Sequence, residues 1–141
     1  MKNKISVKHK TASEIMSSPV KVMTLTMTIR DAIRFLMVYK LSGAPLLDHL
    51  GQLVSLVSEL DLMQIGALDG TDTTLGEAKH RLPKAKDIFT VKSDAVFVDI
   101  MRLFLENGLR QILVMDDNKQ VLGIIARRDI LKAYIDLEGQ T

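Results

Sequence analysis

Two aspartates, Asp61 and Asp129, stand 68 positions apart, and each closes the same local pattern. Before Asp61, Gly51-Gln52 leads into Leu53-Val54-Ser55-Leu56-Val57, and Ser58-Glu59-Leu60 carries the chain to the carboxylate. Before Asp129, Lys119-Gln120 leads into Val121-Leu122-Gly123-Ile124-Ile125, followed by Ala126-Arg127-Arg128. An apolar run of five ending in a polar corner reads as a strand passing into a helix. A carboxylate three residues beyond such a corner either caps the new helix, with Ser58 as reciprocal partner in the first copy, or faces a ligand held in a cleft. Harder chemistry finds no support. No Ser-His-Asp set, paired-carboxylate arrangement or Gly-Lys-Ser/Thr phosphate loop can be assembled. His9, His49 and His80 fall in a tail, a turn and a linker, without ligand spacing for a metal. With no cysteine in the chain, disulfides, thiolate metal sites and cysteine nucleophiles are excluded. The protein reads as non-enzymatic.

The elements that must position these corners also come in two copies. Ile29, Ala32, Ile33, Leu36 and Met37 make one amphipathic stripe, introduced by the capping pattern of Thr28 and Asp31. Phe97, Ile100, Met101, Phe104 and Leu105 repeat it, each shifted by 68. Leu41-Ser42-Gly43 and Asn107-Gly108 stop the two helices. Strands follow over 44–47 and 112–115, with turns at Asp48-His49-Leu50-Gly51 and Asp116-Asp117-Asn118-Lys119. Strands over 53–57 and 121–125 then lead to helices over 59–65 and 127–135. A further short strand is expected over 20–23, and Thr74-Leu75-Gly76-Glu77 is placed to cap a short helix in the linker. The resulting division is a basic tail over 1–11, a first repeat over 12–66, a linker over 67–84 and a second repeat over 85–141. Each repeat alone is marginal in size. The expected fold is α/β (α+β): two βαββα repeats packed through their small sheets about a pseudo-twofold axis, with a cleft at each corner.

At 141 residues, with 47% hydrophobic and 26% charged residues, the chain has the composition of an ordinary globular protein. It has no apolar run of membrane-spanning length and no signal-like opening, so a cytoplasmic location is the expectation. The net charge of +2 comes from Lys2, Lys4, Lys8 and Lys10, since the remainder carries a net negative balance. A short lysine tail is normally a solvated end. The eight methionines, among them Met23, Met27, Met37, Met63, Met101 and Met115, read as core or dimer-interface filler.

Lys40-Leu41-Ser42-Gly43-Ala44-Pro45-Leu46-Leu47-Asp48 with Ser55–Asp61, and Gly108-Leu109-Arg110-Gln111-Ile112-Leu113-Val114-Met115-Asp116 with Gly123–Asp129, resemble the CBS domain. The resemblance covers residues 12–135 as a tandem pair. It implies a regulatory module that binds adenosine-containing nucleotides and forms disc-like homodimers; such pairs are often fused to other proteins, whereas this one reads as standing alone. The family's nucleotide corner resembles Gly-x-x-Thr/Ser-x-x-Asp. By that resemblance Asp61 and Asp129 would accept hydrogen bonds from ribose hydroxyls, a charge-assisted contact. Ser58, Arg110, Arg127 and Arg128 would meet phosphates. Lys21 (through its backbone), Leu41, Gly43 and Leu56 would wall the first adenine pocket, and Phe89, Leu109 and Ile124 the second. Both copies depart from the pattern: Ser55 stands where glycine is usual, and Ala126 removes the hydroxyl. Unequal sites are therefore expected.

The implied ligand is AMP, ADP, ATP or a related adenosyl compound, with a regulated protein as the unidentified partner. The rival reading is a ligand-free dimerisation and interaction module, motivated by the two departures. A nucleic-acid role through the lysine tail is opposed by the negative body and the 4% aromatic content. Nucleotide hydrolysis lacks a base-and-metal constellation.

Overall fold

A computed structural model describes residues 9–139, with side chains through Asp136. Lys2, Lys4 and Lys8 of the basic tail lie outside the described residues. The elements run α1 (Ala12–Ile15), β1 (Met23–Thr24), α2 (Ile29–Tyr39), β2 (Gly43–Leu47), β3 (Leu53–Ser58) and α3 (Glu59–Asp69). They continue with β4 (Thr90–Val91), α4 (Phe97–Asn107), β5 (Gln111–Met115), β6 (Val121–Ala126) and α5 (Arg127–Gly139). The expected mixed α/β class with two three-stranded sheets is what forms.

The sheets are ordered β1-β2-β3 and β4-β5-β6, the first pair in each parallel and the second antiparallel. Leu46 faces Ser55 and Val114 faces Gly123, and the register slips at the next residue in both copies. The hairpin turns are built alike. Asp48 Oδ1 accepts from the N–H groups of Leu50 and Gln52 (2.9 Å each), and Asp116 Oδ1 from those of Asn118 (2.8 Å) and Gln120 (2.9 Å). A short side-chain acceptor that replaces a backbone turn bond is the usual role of Asp at such positions.

α2 begins as the sequence indicates: the Thr28 hydroxyl accepts from Asp31 N–H at 3.0 Å, and Thr28 N–H donates to Asp31 Oδ2 at 3.1 Å. Those bonds hold Asp31 below the ordinary carboxylate range. Ile29, Ala32 and Leu36 are buried, as are Phe97, Ile100 and Phe104 on α4. The last position of each expected stripe is a correction, because Met37 is 73% and Leu105 75% exposed. Eight residues advance the helix about 80° beyond the starting face, onto the stripe's edge. α3 also runs past residue 65 to Asp69 and ends at Gly70, whose φ is 83°. It buries Leu62 and Ile65 on one side and exposes Leu60, Met63 and Leu68 on the other.

The chain forms two compact units, which do not follow the repeat boundaries: one is residues 21–88, and the other joins residues 9–20 to 89–139. In the first, Leu75, Ala78 and Leu82 of the linker enter the core formed by Met23, Ile29, Leu36, Leu46 and Val57. Linker backbone also pairs with the start of α2, Ile29 N–H donating to Thr73 O at 2.9 Å and Leu75 N–H to Met27 O at 2.8 Å. Thr74 and Glu77 form reciprocal bonds (2.9 and 3.1 Å), and the short helical segments that follow are 3-10 turns at Lys79–Arg81 and Ala85–Asp87. Pro83 supplies no N–H and forces Leu82 into extended backbone, so the first turn ends there. In the second unit, Ala12 and Ile15 of α1 enter the core of Phe97, Ile100, Phe104, Ile112, Ile125 and Ile130. Among the described residues no buried side-chain polar atom lacks a partner, and no helix is long and apolar enough to cross a membrane.

Candidate functional site

Each corner is the point where the closing strand of a sheet becomes a helix. In both copies the helix's opening N–H is tied back to the strand-starting loop: Glu59 N–H donates to Ser42 O at 3.1 Å, and Arg127 N–H to Arg110 O at 3.3 Å. That tie places Leu41-Ser42-Gly43 beside the first carboxylate's helix and Leu109-Arg110 beside the second's.

At the first corner Asp61 Oδ2 accepts from both Ser58 N–H and the Ser58 hydroxyl, each at 2.8 Å, while Asp61 N–H donates to Ser58 Oγ at 3.2 Å. This is the full reciprocal cap. It occupies one carboxylate oxygen and leaves Oδ1 outside the cap. Leu41 and Leu56 are half-buried and Gly43 is buried. A cavity of about 310 Å³ opens where α2 ends, lined by Leu36, Met37, Lys40, Leu41, Ser42 and Glu59. Lys21 is exposed, with its ammonium 4.7 Å from the centre of the Tyr39 ring, a cation–π contact.

The second corner is wired differently. Ala126 offers no hydroxyl, so among the described residues Asp129 Oδ2 accepts only from Ala126 N–H, at 2.8 Å. Oδ1 accepts instead from the hydroxyl of Ser17, 112 residues away in sequence, at 2.9 Å. Ser17 is held there by β-bridge bonds to Ile124, N–H to O at 2.9 Å and the return bond at 3.2 Å. Nothing local in the sequence signals Ser17; the one hint is the hydroxyl that Ala126 lacks. A cavity of about 330 Å³ lies beside this pair, with Lys10, Glu14, Ser18, Lys132 and Asp136 among its walls.

The three arginines fare unequally. Arg127 Nε donates to Leu109 O at 2.7 Å and Nη2 to Gly108 O at 3.4 Å, so its guanidinium covers carbonyls at the C-terminal end of α4. A cation there is favoured by the helix dipole, which explains a basic residue in the first turn of α5. Arg110 and Arg128 are exposed, and among the described residues their side chains have no protein partner. Phe89 is 39% exposed and its carbonyl accepts from Leu113 N–H at 3.3 Å; Leu109 is half-buried and Ile124 buried. Among the described residues no group of three or more His, Asp or Glu side chains could hold a metal ion.

The departures from the pattern have structural uses. Ser55 is fully buried, and its hydroxyl donates to Pro83 O at 2.7 Å. Gly123, its counterpart, leaves room for Met16: a Cβ at Gly123 would lie 3.0 Å from Met16 Cβ and closer still to Cγ and Sδ.

Comparison with known proteins agrees with this architecture. The CBS domain matches twice, over residues 12–67 and 84–136. An uncharacterized protein of Methanocaldococcus jannaschii, MJ1232, is 30% identical over 105 residues, covering 74% of this chain and 33% of that protein. The chain thus spans about a third of the length of that relative. The crystal structure of CBSX2 in complex with AMP superposes with a TM-score of 0.76 at 23% identity, covering 91% of this chain and 98% of that one. The CBS domain pair of protein MJ0100, solved with 5′-methylthioadenosine and S-adenosyl-L-methionine, gives a TM-score of 0.77 at 18% identity, covering 94% and 98%. Two matched copies, two sheets of one topology and a repeated strand-to-helix corner place the chain in the CBS domain family, as a tandem pair.

Proposed function

We propose that the chain is a regulatory module that binds an adenosine-containing ligand (AMP, ADP, ATP or a related adenosyl compound) and passes its ligand state to a partner protein without catalysing a reaction. The observation that carries this reading is the recurrence of a carboxylate at the same strand-to-helix corner in both copies, anchored at a helix start by backbone or hydroxyl donors. An anchored carboxylate is pre-oriented to accept from a ribose diol. Two solved CBS proteins of the same fold hold AMP and adenosyl compounds, which supports the ligand class. Asp61 and Asp129 would hold ribose, and Leu41, Gly43, Leu56 and the Lys21 backbone would wall one adenine face. Phe89, Leu109 and Ile124 would wall the other. Arg110 and Arg128, with Ser58, would meet phosphates; Arg127 would first have to release the Leu109 carbonyl. The reading includes a cytoplasmic homodimer.

Thermal unfolding with AMP, ADP, ATP, S-adenosylmethionine and GTP tests it. A ligand at about 100 times its dissociation constant stabilises the folded state by ~2.7 kcal/mol, a shift of several degrees. The expected result is a shift with adenosyl ligands but not GTP, lost when Asp61→Asn and Asp129→Asn are combined. No shift with any ligand at millimolar concentration sinks the reading.

A second reading, a ligand-free dimerisation module, is favoured by the outward apolar faces. Met37, Leu60, Met63 and Leu68 are each at least 60% exposed, and such faces mark association surfaces. Dimerisation without nucleotide binding in the same titration would favour it.

A further inference from the structure

We propose that Ser17 is a positioning residue for Asp129, supplying from the lead-in segment the hydroxyl that Ala126 does not carry. The inference rests on the nucleotide reading above for its functional consequence, and on the second corner's own geometry for its substance.

At the first corner the residue at the hydroxyl position, Ser58, donates to its aspartate at 2.8 Å. At the second, the corresponding residue is Ala126, and the donor to Asp129 is Ser17 at 2.9 Å. One serine is three residues from its carboxylate and the other is 112 away; the chemical contact is the same. A carboxylate held by a single N–H can swing about its χ2, whereas bonds on both oxygens fix its plane. Asp129 has one bond on each oxygen, from Ala126 N–H and from Ser17. The placement of Ser17 is itself secured twice. Its backbone bridges to Ile124 in both directions, and the neighbouring Met16 packs where Gly123 has no side chain.

The consequence is that the second corner is completed by chain from outside its own strand and helix. Its capacity to hold a diol depends on whether residues 16–17 remain on β6. The first corner carries its hydroxyl on its own helix cap and has no such dependence.

The experiment uses the full chain, with Asp61→Asn introduced to isolate the second corner and AMP as the probe. In that background Ser17→Ala is expected to weaken AMP binding about tenfold or more, the loss of one hydrogen bond to a charged acceptor. Ser17→Thr, which keeps the hydroxyl, should retain affinity. Adding Ala126→Ser to Ser17→Ala should restore most of it, which a role confined to tethering the lead-in segment would not do. Unchanged AMP affinity in Ser17→Ala, alongside loss in Asp129→Asn, overturns the proposal. If neither the wild type nor any variant binds AMP, the nucleotide reading falls. The positioning contact is then decided by urea unfolding of Ser17→Ala, Asp129→Asn and the double variant. Non-additive midpoints keep it and additive midpoints overturn it.

Discussion

The buried hydroxyl of Ser55 donates to the carbonyl of Pro83 at 2.7 Å, tying the centre of β3 to the end of the linker. At the matching position of the other copy, Gly123 makes room for Met16 instead. One pair of equivalent residues thus docks two different segments, by a hydrogen bond in one case and by a vacated volume in the other. Ser55→Ala removes this bond from an exposed proline carbonyl that water can then reach, and is expected to cost about 1 kcal/mol, read as a lower urea midpoint with an unchanged slope.

The reverse experiment applies to Gly123. Gly123→Ala places a methyl against the Cβ of Met16 as well as its flexible end, so the side chain alone cannot relieve the clash. Overpacking of this kind costs about 1–3 kcal/mol. Hydrogen exchange at Ser17 and Ile124, whose amides form the bridge, should accelerate in the same variant.

Two lysines adopt backbone that favours glycine. Lys40 has φ 56° at the end of α2, and its counterpart Gly108 has φ 59° at the end of α4. Lys119 has φ 62° in the second hairpin, and its counterpart Gly51 has φ 80° in the first. Each copy therefore keeps glycine at one of the two positions and strains a lysine at the other. Lys40→Gly and Lys119→Gly should each stabilise the fold, by roughly 0.5–1 kcal/mol. Gly108→Ala and Gly51→Ala should destabilise it, and thermal melts of the four variants check the pairing.

Stability should also fall in acid. Backbone and hydroxyl donors at Thr11, Thr28 and Thr74 hold Glu14, Asp31 and Glu77 below the ordinary carboxylate range. The Gln52 N–H lowers Asp48, and the Arg81 guanidinium lowers Asp69. A carboxylate depressed on folding contributes stability that is full above its unfolded value and is lost as pH falls through its folded one. The unfolding midpoint should therefore be flat from neutrality to about pH 5 and fall below about pH 4. Glu77→Gln and Asp31→Asn should each flatten part of that descent.

Much of the architecture was legible because it was written twice. The hairpins, the α2 cap at Thr28 and the corners at Asp61 and Asp129 depend on neighbours within a few residues, and local pattern reports those well. Met37 and Leu105 continue the apolar stripes in sequence yet are exposed, because periodicity counts positions and is blind to where burial ends. The short helix expected after Glu77 is a 3-10 turn, closed before Pro83. Ser17 was invisible for a different reason: its partner is 112 residues distant, and no local spacing encodes such a pairing. The resemblance assigns Arg127 to phosphates, but no local pattern encodes that the carbonyls of Gly108 and Leu109 receive it.

Each hydrophobic interior takes in chain from outside its own sheet and main helices: Ala12 and Ile15 join the core of residues 89–139, and Leu75, Ala78 and Leu82 join that of residues 21–88. A cut after residue 88 would therefore leave residues 21–88 with all of their core, but would strip Ala12 and Ile15 from the core of the C-terminal fragment. The two copies are therefore unequal in heredity: one is a single unbroken stretch of gene, whereas the other is assembled from two stretches that must be inherited together.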